Sequence, residues 1–293
     1  MRILFVGSVK FSELALRKLI SMRANVVGVC TLGESSFNSD HHDLSETALA
    51  ANIQVRLTPN INDLTTVEWI QQTSPDVIFC FGWSRLLGER ILNVPKLGVI
   101  GFHPSALPAN RGRHPITWAL VLGLKETAST FFFMDDAADT GDILSQVKLD
   151  IYDTDDASSL YHRISAIALD QIEQFLPLLA TGKYDKVPQD NSLANTWRKR
   201  TFSDGCIDWR MSAQCIHNLV RGLTTPYFGA SFIFKGENIK VWKTSLDMTL
   251  PRNFEPGRVM YKDNGGVVVK TGDGAIRLLD YSPRVNLLVG DYL

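Results

Sequence analysis

The stretch DVIFCFGWSRLLGERILNVPKLGVIGFH (76–103) decides the fold. It holds two apolar runs, DVIFCF (76–81) and GVIGF (98–102), each short enough to be a strand and apolar at nearly every position. Strands apolar on both faces belong to a parallel sheet covered on both sides. Toward the N-terminus the pattern repeats. RILFV (2–6), VVGVC (26–30) and IQVRL (53–57) read as further strands, separated by helical patterns at Ser12–Met22, Leu44–Asn52 and Val67–Gln72. In the first of these helices Leu14, Leu16, Leu19 and Ile20 share one face. Strand–helix alternation with short connections predicts an α/β domain with a doubly wound, mostly parallel, Rossmann-like sheet.

Toward the C-terminus a helix is expected around Pro115–Gly123, then strands at STFFFM (129–134) and ILSQVKLD (143–150), and a long amphipathic helix at Ser158–Ala180 that Gly182 ends. Residues 183–206 are polar and charged and read as a linker. From Ile207 the pattern changes to one helix, Ala213–Leu223, followed by short alternating strands with the turns KGEN, KDNGG and TGDG. The expected organisation is therefore an α/β domain at 1–183, a linker at 184–206, and a smaller α+β or barrel-like domain at 207–293.

The composition excludes several classes. The chain has 293 residues, 45% of them hydrophobic and 21% charged, which fits globular cores rather than disorder. Thirty Lys and Arg against 31 Asp and Glu leave a net charge of −1, so no global field draws the protein to nucleic acid or anionic lipid. No apolar run reaches the ~20 residues of a membrane helix, and the apolar run after Met1 is too short for a secretory signal. Cys30, Cys80, Cys206 and Cys215 are scattered without metal-type spacing, and the expectation is a cytoplasmic protein with reduced thiols. The first strand leads into GSVKFS, with one Gly where a dinucleotide fingerprint needs three, and no GxxxxGK[ST] run occurs.

In an open α/β sheet, ligands bind beyond the carboxyl ends of the strands. Past GVIGF comes HPSALPANRGRHPITWAL (103–120), which gathers His103, Ser105, Arg111, Arg113, His114 and Trp118 in a loop stiffened by proline. The other polar concentration is MDDAADTGDIL (134–144), with Asp135, Asp136, Asp139 and Asp142 around Gly141. That segment also reads as a solvated hairpin turn. Its carboxylates lack EF-hand spacing and no HExxH occurs, so no metal is expected.

His103-Pro104-Ser105-Ala106-Leu107-Pro108 followed by Arg111-Gly112-Arg113 resembles the HxSLLPxxRG signature of the formyltransferases that use 10-formyltetrahydrofolate. Asp139-Thr140-Gly141-Asp142, 36 residues after His103, resembles their DxGD loop. FVGSVKFSELALRKL at the start, and GCIDWRMSAQCIHNLVRGLTTPYFGA from residue 205, extend the resemblance along most of the chain. The resemblance implies that His103 and Asp139 are catalytic. His103 would carry the proton released by the attacking amine, and Asp139 would orient it and stabilise its protonated form. Proton-transfer help of this kind is worth about 10²–10⁴ in rate. It also implies that the folate co-substrate is lined by Phe81, Gly82, Trp83 and Leu86 and by the backbone around Asp135, Asp136, Ala137 and Asp142.

One departure falls at the centre of the pattern. The family has Asn two residues before the His, where this chain has Gly101. Losing one oxyanion donor typically costs about 10²–10³ in kcat. Three readings stay open: a backbone N–H or a water replaces the donor, the pocket uses the space that Gly frees, or the chain is a non-catalytic relative that binds folate or nucleotide.

The resemblance also bears on the acceptor. The loop after the second strand, GESSFNSDHHD (33–43), has no Lys or Arg, whereas the tRNA enzymes of the family carry a basic insert there. About ninety residues follow the first domain, more than the glycinamide ribonucleotide enzymes have. RGRHPITWA (111–119) is similar to a run in the nucleotide-sugar enzymes. The expected acceptor is thus a nucleotide-linked amino sugar, with methionyl-tRNA as the alternative, supported locally by Trp197-Arg198-Lys199-Arg200. Arg113 is expected at the diphosphate, and Arg111, Ser105 and Trp118 are also expected to bind substrate. Lys10, Tyr227 and the SSFNSD loop (35–40) are expected to border the sugar or base. SSFNSD is similar to enzymes acting on UDP-linked 4-amino-4,6-dideoxy sugars of the pseudaminic acid type. The second domain is left either to dimerise the protein or to bind substrate.

Overall fold

A computed structural model describes residues 1–34, 40–247 and 253–293. Its elements are β1 (Arg2–Val6), α1 (Lys10–Ser21), β2 (Asn25–Thr31), α2 (Ser45–Ala50), β3 (Val55–Leu57), α3 (Leu64–Thr73), β4 (Val77–Cys80), α4 (Glu89–Leu92), β5 (Val99–His103), β6 (Arg111–Gly112), α5 (Pro115–Val121), β7 (Glu126–Phe133), β8 (Ile143–Asp150), α6 (Ala157–Thr181), β9 (Thr196–Trp197), α7 (Ala213–Leu223), β10 (Ala230–Phe234), β11 (Glu237–Asp247), β12 (Val259–Asp263), β13 (Gly266–Lys270) and β14 (Ala275–Ser282). The chain divides into two units, one of residues 1–115, 127–149 and 162–197, the other of 116–126, 150–161 and 198–293.

The first unit is built on a seven-stranded sheet in the order β3-β2-β1-β4-β5-β7-β8. β1 to β5 pair in parallel, and β7 runs antiparallel to β5. The sheet is therefore mostly parallel, with its order reversing between β2-β1 and β4-β5. The strands sit where the apolar runs require. Leu4, Val6, Ile78, Cys80 and Val99 fill one core with Ile61, Val67 and Ile70. Elsewhere in the unit the phenylalanines pack on one another: Phe81 stacks on Phe79 at 5.2 Å and meets Phe5 and Phe131 edge-on at 5.6 and 5.1 Å, centre to centre. Helix α1 follows β1 because Phe11, Ala15, Leu16 and Leu19 bury one face. Helix α3 starts where the Asp63 carboxylate accepts the Thr66 N–H at 2.9 Å. It runs Leu64–Thr73, longer at both ends than the apolar residues alone predict. Four-residue α4 has no periodicity to announce it, and the third strand is three residues rather than five. Cys30 and Cys80 are buried, and burial pushes both thiols up to about 12.

The second unit carries an antiparallel five-stranded sheet, β10-β11-β14-β13-β12, packed against α7. The Ser212 hydroxyl caps α7 by accepting the Cys215 N–H at 3.1 Å. Ile216, Leu219 and Val220 then face Ile239, Val241, Val267, Val269, Ile276 and Leu278 in one core. Arg221 is buried with all its work internal. It donates to the carbonyls of Tyr152 (3.1 Å) and Asp155 (3.0 Å) and to Asn218 Oδ1 (2.9 Å). Among the described residues no helix is long and apolar enough to cross a membrane.

Candidate active site

His103 is the last residue of β5 and is buried. Its ring is held from two sides. Nε2 lies 2.9 Å from the carbonyl oxygen of Asn110, and Nδ1 lies 3.6 Å from Asp139 Oδ2. A carbonyl can only accept, so Nε2 carries a proton and Nδ1 holds the lone pair of the neutral ring. The Nδ1 contact is too long for a hydrogen bond but close enough for an ion pair once the ring is protonated. This arrangement suits Nδ1 as the nitrogen that takes up a proton, with Asp139 stabilising the charge that results.

Asp139 is fixed in its turn. Its Oδ2 accepts the Gly112 N–H at 2.9 Å, and its backbone sits in the left-handed region at φ 61°. Gly112 must be glycine. Its own φ is 101°, and a Cβ there would lie 2.3 Å from the Trp197 carbonyl. The following turn is equally tight, since a Cβ on Gly141 would stand 1.8 Å from the Phe133 carbonyl. The RG and TG of the two motifs are thus requirements of close backbone approach.

Two sequence-predicted residues serve the loop rather than open space. Ser105 is fully buried and its hydroxyl donates to the Ala109 carbonyl at 3.2 Å. Arg111 is also buried, with Nε and Nη2 on Gln189 Oε1 (3.2 and 2.7 Å) and Nη2 on Asn191 Oδ1 (2.9 Å). The stretch expected as a linker therefore engages the first unit as far as Trp197. Asn195 Oδ1 accepts the Asn110 N–H at 2.7 Å, and β9 pairs with β6. Gln189 and Asn195 were not anticipated; their signal is an amide-rich run, QDNSLAN, in a segment with no apolar periodicity.

Around the expected folate site the placements differ by residue. Phe81 is fully buried among aromatic rings. Gly82 has φ 72°, and a Cβ on it would strike the Val9 side chain. Leu86 is 59% exposed. Trp83 packs against the cluster that Leu92 and Met134 also border, and its indole N–H is buried with no partner among the described residues. Leu92, Met134, Glu89, Asn93, Asp135 and Asp136 line a cavity of about 400 Å³. Asp135 accepts from Thr140 Oγ1 at 2.5 Å and from the Ala137 N–H at 3.2 Å, and the Asp142 carbonyl accepts the Phe133 N–H at 2.8 Å. A cavity lined by apolar side chains, an amide and carboxylates fits a heterocycle with both polar edges and flat faces.

Gly101 does not leave free space. A Cβ there would lie 2.9 Å from two ring carbons of Phe132 and 3.0 Å from Met134 Cγ. Strand alternation puts positions 101 and 103 on one face, so the position of the expected amide is an apolar shoulder next to His103. This corrects the reading in which the pocket gains room at 101.

The remaining predicted residues make contacts of their own. Arg113 is exposed and its N–H bonds the Trp197 carbonyl at 3.0 Å. Lys10 pairs with the buried Glu13, which also takes Arg17 and His42. Trp118 and Tyr227 belong to the second unit. The Trp118 indole donates to the Arg198 carbonyl at 3.0 Å and its ring stacks under the Arg200 guanidinium at 4.5 Å. Arg198 pairs with Asp204, so two cations of the local basic run are engaged internally. Of the SSFNSD loop, positions 35–39 lie outside the described residues. Among the described residues no group of His, Cys, Asp and Glu is placed to hold a metal.

Comparison with known proteins places the chain in a family. Residues 1–174 match the family model described as formyl transferase, and residues 200–285 match its C-terminal domain. The methionyl-tRNA formyltransferase of Ruminiclostridium cellulolyticum is 32% identical over 100% of this chain and 96% of its own. An N-formyltransferase from Helicobacter canadensis, solved with folinic acid and dTDP-3-aminofucose, shares the fold with a TM-score of 0.72 at 17% identity, covering 94% of this chain and 98% of that one. The methionyl-tRNA formyltransferase from Clostridium thermocellum superposes with a TM-score of 0.62 at 18% identity over 92% and 97%. With both domain models matched in order and a relative aligned end to end, the chain belongs to the formyl transferase family.

Proposed function

We propose that the protein formylates the amine of methionyl-tRNA, with His103 Nδ1 as the proton carrier and Asp139 as its ion-pair partner. The co-substrate of the family is 10-formyltetrahydrofolate, which supplies the formyl group. Trp83, Leu86 and the backbone at 135–137 are the residues to hold it. His103 takes the proton that the amine nitrogen loses as it bonds to the formyl carbon. The same ring returns it to the departing nitrogen, so the enzyme ends as it began. Asp139 favours the charged ring in between.

The likeness along the full chain to methionyl-tRNA formyltransferases carries the acceptor assignment. Charge supports it. Residues 198–293 hold 14 Lys and Arg against nine Asp and Glu, a basic balance in an otherwise acidic chain. A second reading, a nucleotide-linked amino sugar, is favoured by one observation: residues 33–43 contain no Lys or Arg to meet a phosphate backbone. Exposed Arg113 would then meet the diphosphate.

The test is a mass-spectrometric acceptor screen with 10-formyltetrahydrofolate, offering methionyl-tRNA and UDP- and dTDP-linked 3- and 4-amino sugars. A 28 Da gain on the tRNA-borne methionine, expected from formyl replacing hydrogen, supports the first reading. The gain on one sugar alone replaces it with the second. His103→Ala should fold and lose formyl transfer to any acceptor; retained activity would refute the proton-carrier role.

A further inference from the structure

We propose that Gln189 is a positioning residue for formyl transfer, holding the Asp139 carboxylate in register with His103. The inference rests on the roles just assigned to those two side chains. Gln189 Nε2 donates to the carbonyls of Asp139 (3.0 Å) and Gly141 (2.7 Å), while Oε1 accepts from Arg111. One side chain thus ties the aspartate loop to the histidine loop, using both ends of its amide.

The contacts close into a ring. Gln189 grips Arg111, and the next residue, Gly112, donates to the Asp139 carboxylate. Gln189 also grips the Asp139 backbone from behind. The residue before Arg111, Asn110, holds Nε2 of His103 on its carbonyl. Residues 110, 111 and 112 therefore touch the histidine, the glutamine and the aspartate in turn. Asp139 needs this hold. It adopts φ 61° without being glycine, and β7 runs antiparallel to β5 with Phe133 opposite Ile100, so the sheet alone does not level Asp139 with His103. The carbonyls of the left-handed residue itself and of Gly141 two positions on, both bonded to one amide, fix the direction of the turn. Only a side chain with two donors and an acceptor at this length can do so. Glutamate keeps the acceptor but sets a charged oxygen against two carbonyls.

The experiment compares Gln189→Met and Gln189→Glu with the parent enzyme and with His103→Ala, under the acceptor that the screen identifies. Displacing a reacting group by about 1 Å can cost about a hundredfold, and a loss of kcat of that order is expected for Gln189→Met with both KM values within about twofold. Gln189→Glu, which sets a charged oxygen against the two carbonyls, should lose at least as much kcat, again with both KM values within about twofold. Simple destabilisation lowers the folded fraction, which thermal melts measure, and leaves kcat per folded molecule unchanged. A kcat per folded molecule within threefold of the parent in both variants would overturn the proposal. If His103→Ala itself stays active, the underlying assignment fails instead, and the two failures are told apart by that control.

Discussion

Substituting Gly101 by Ala tests whether the apolar shoulder beside His103 is as tightly filled as the geometry indicates. The added Cβ would sit 2.9 Å from the Phe132 ring and 3.0 Å from Met134 Cγ. Phe132 is 2% exposed on β7 and has little room to withdraw. Overpacking of this kind costs about 1–3 kcal/mol. Removing a glycine from a strand returns about 0.5–1 kcal/mol of chain entropy, and no positive φ adds strain at 101. The net expectation is a loss of about 1 kcal/mol, or a Tm lower by about 2–4 °C at this chain length. Phe132→Ala alone should cost about 3–5 kcal/mol through the cavity it opens. In the double variant the ring that obstructs the Cβ is gone, so the two losses should sum to about 1–2 kcal/mol more than is measured. Urea denaturation of the four proteins, with slopes compared, supplies the cycle. A stabilised Gly101→Ala, or additivity within about 0.5 kcal/mol, would refute the filled shoulder. Gly101→Asn should lose more than Ala, because the amide enters apolar surroundings with its donors unmet.

Two further predictions concern titratable groups. His217 is partly buried, its Nδ1 3.0 Å from Thr244 Oγ1, and burial first, then Arg221, lowers its pKa below the usual imidazole value, against a smaller opposing pull from Asp153. The folded state then binds fewer protons than the unfolded chain. Stability is therefore full above about pH 6.5 and falls as the pH drops through that value. Thermal melts from pH 7.5 to 5.5 should show this slope, reduced in His217→Gln; an equal slope in both would exclude His217 as its source. Cys206 and Cys215 should react with a maleimide at pH 7.5 within minutes, whereas Cys30 and Cys80, buried with thiols near 12, should react only on unfolding. Four rapid modifications in the native protein would contradict the burial.

The sheet was legible because its strands are apolar at almost every position, and such runs have few alternatives to a covered parallel sheet. The motif residues were legible because glycine and proline mark where backbones pass close. The antiparallel course of β7 was not, since STFFFM is equally apolar whichever way it runs. Nor was the hold on Arg111 and Asp139. A glutamine in a polar, aperiodic run gives no sign of its partners, and those partners lie 78 and 50 residues away. Ser105 and Arg111 show the converse: polar residues in a functional signature, with their hydrogen bonds spent inside the loop.

The clasp on the two loops also has a consequence in time. Synthesis proceeds from the N-terminus at about 5–20 residues per second, and early parts of a chain fold first. When residue 182 has emerged, every strand of the seven-stranded sheet is present, with His103 and Asp139 both in it or beside it. Gln189, Asn191, Asn195 and Trp197 are still to come. A nascent chain at that point should have a complete scaffold and an incompetent site, and competence should arrive within the next fifteen residues. If Gln189 positions Asp139 as proposed, nascent chains stalled with residue 182 exposed should be inactive, and chains stalled past residue 197 should have the complete site.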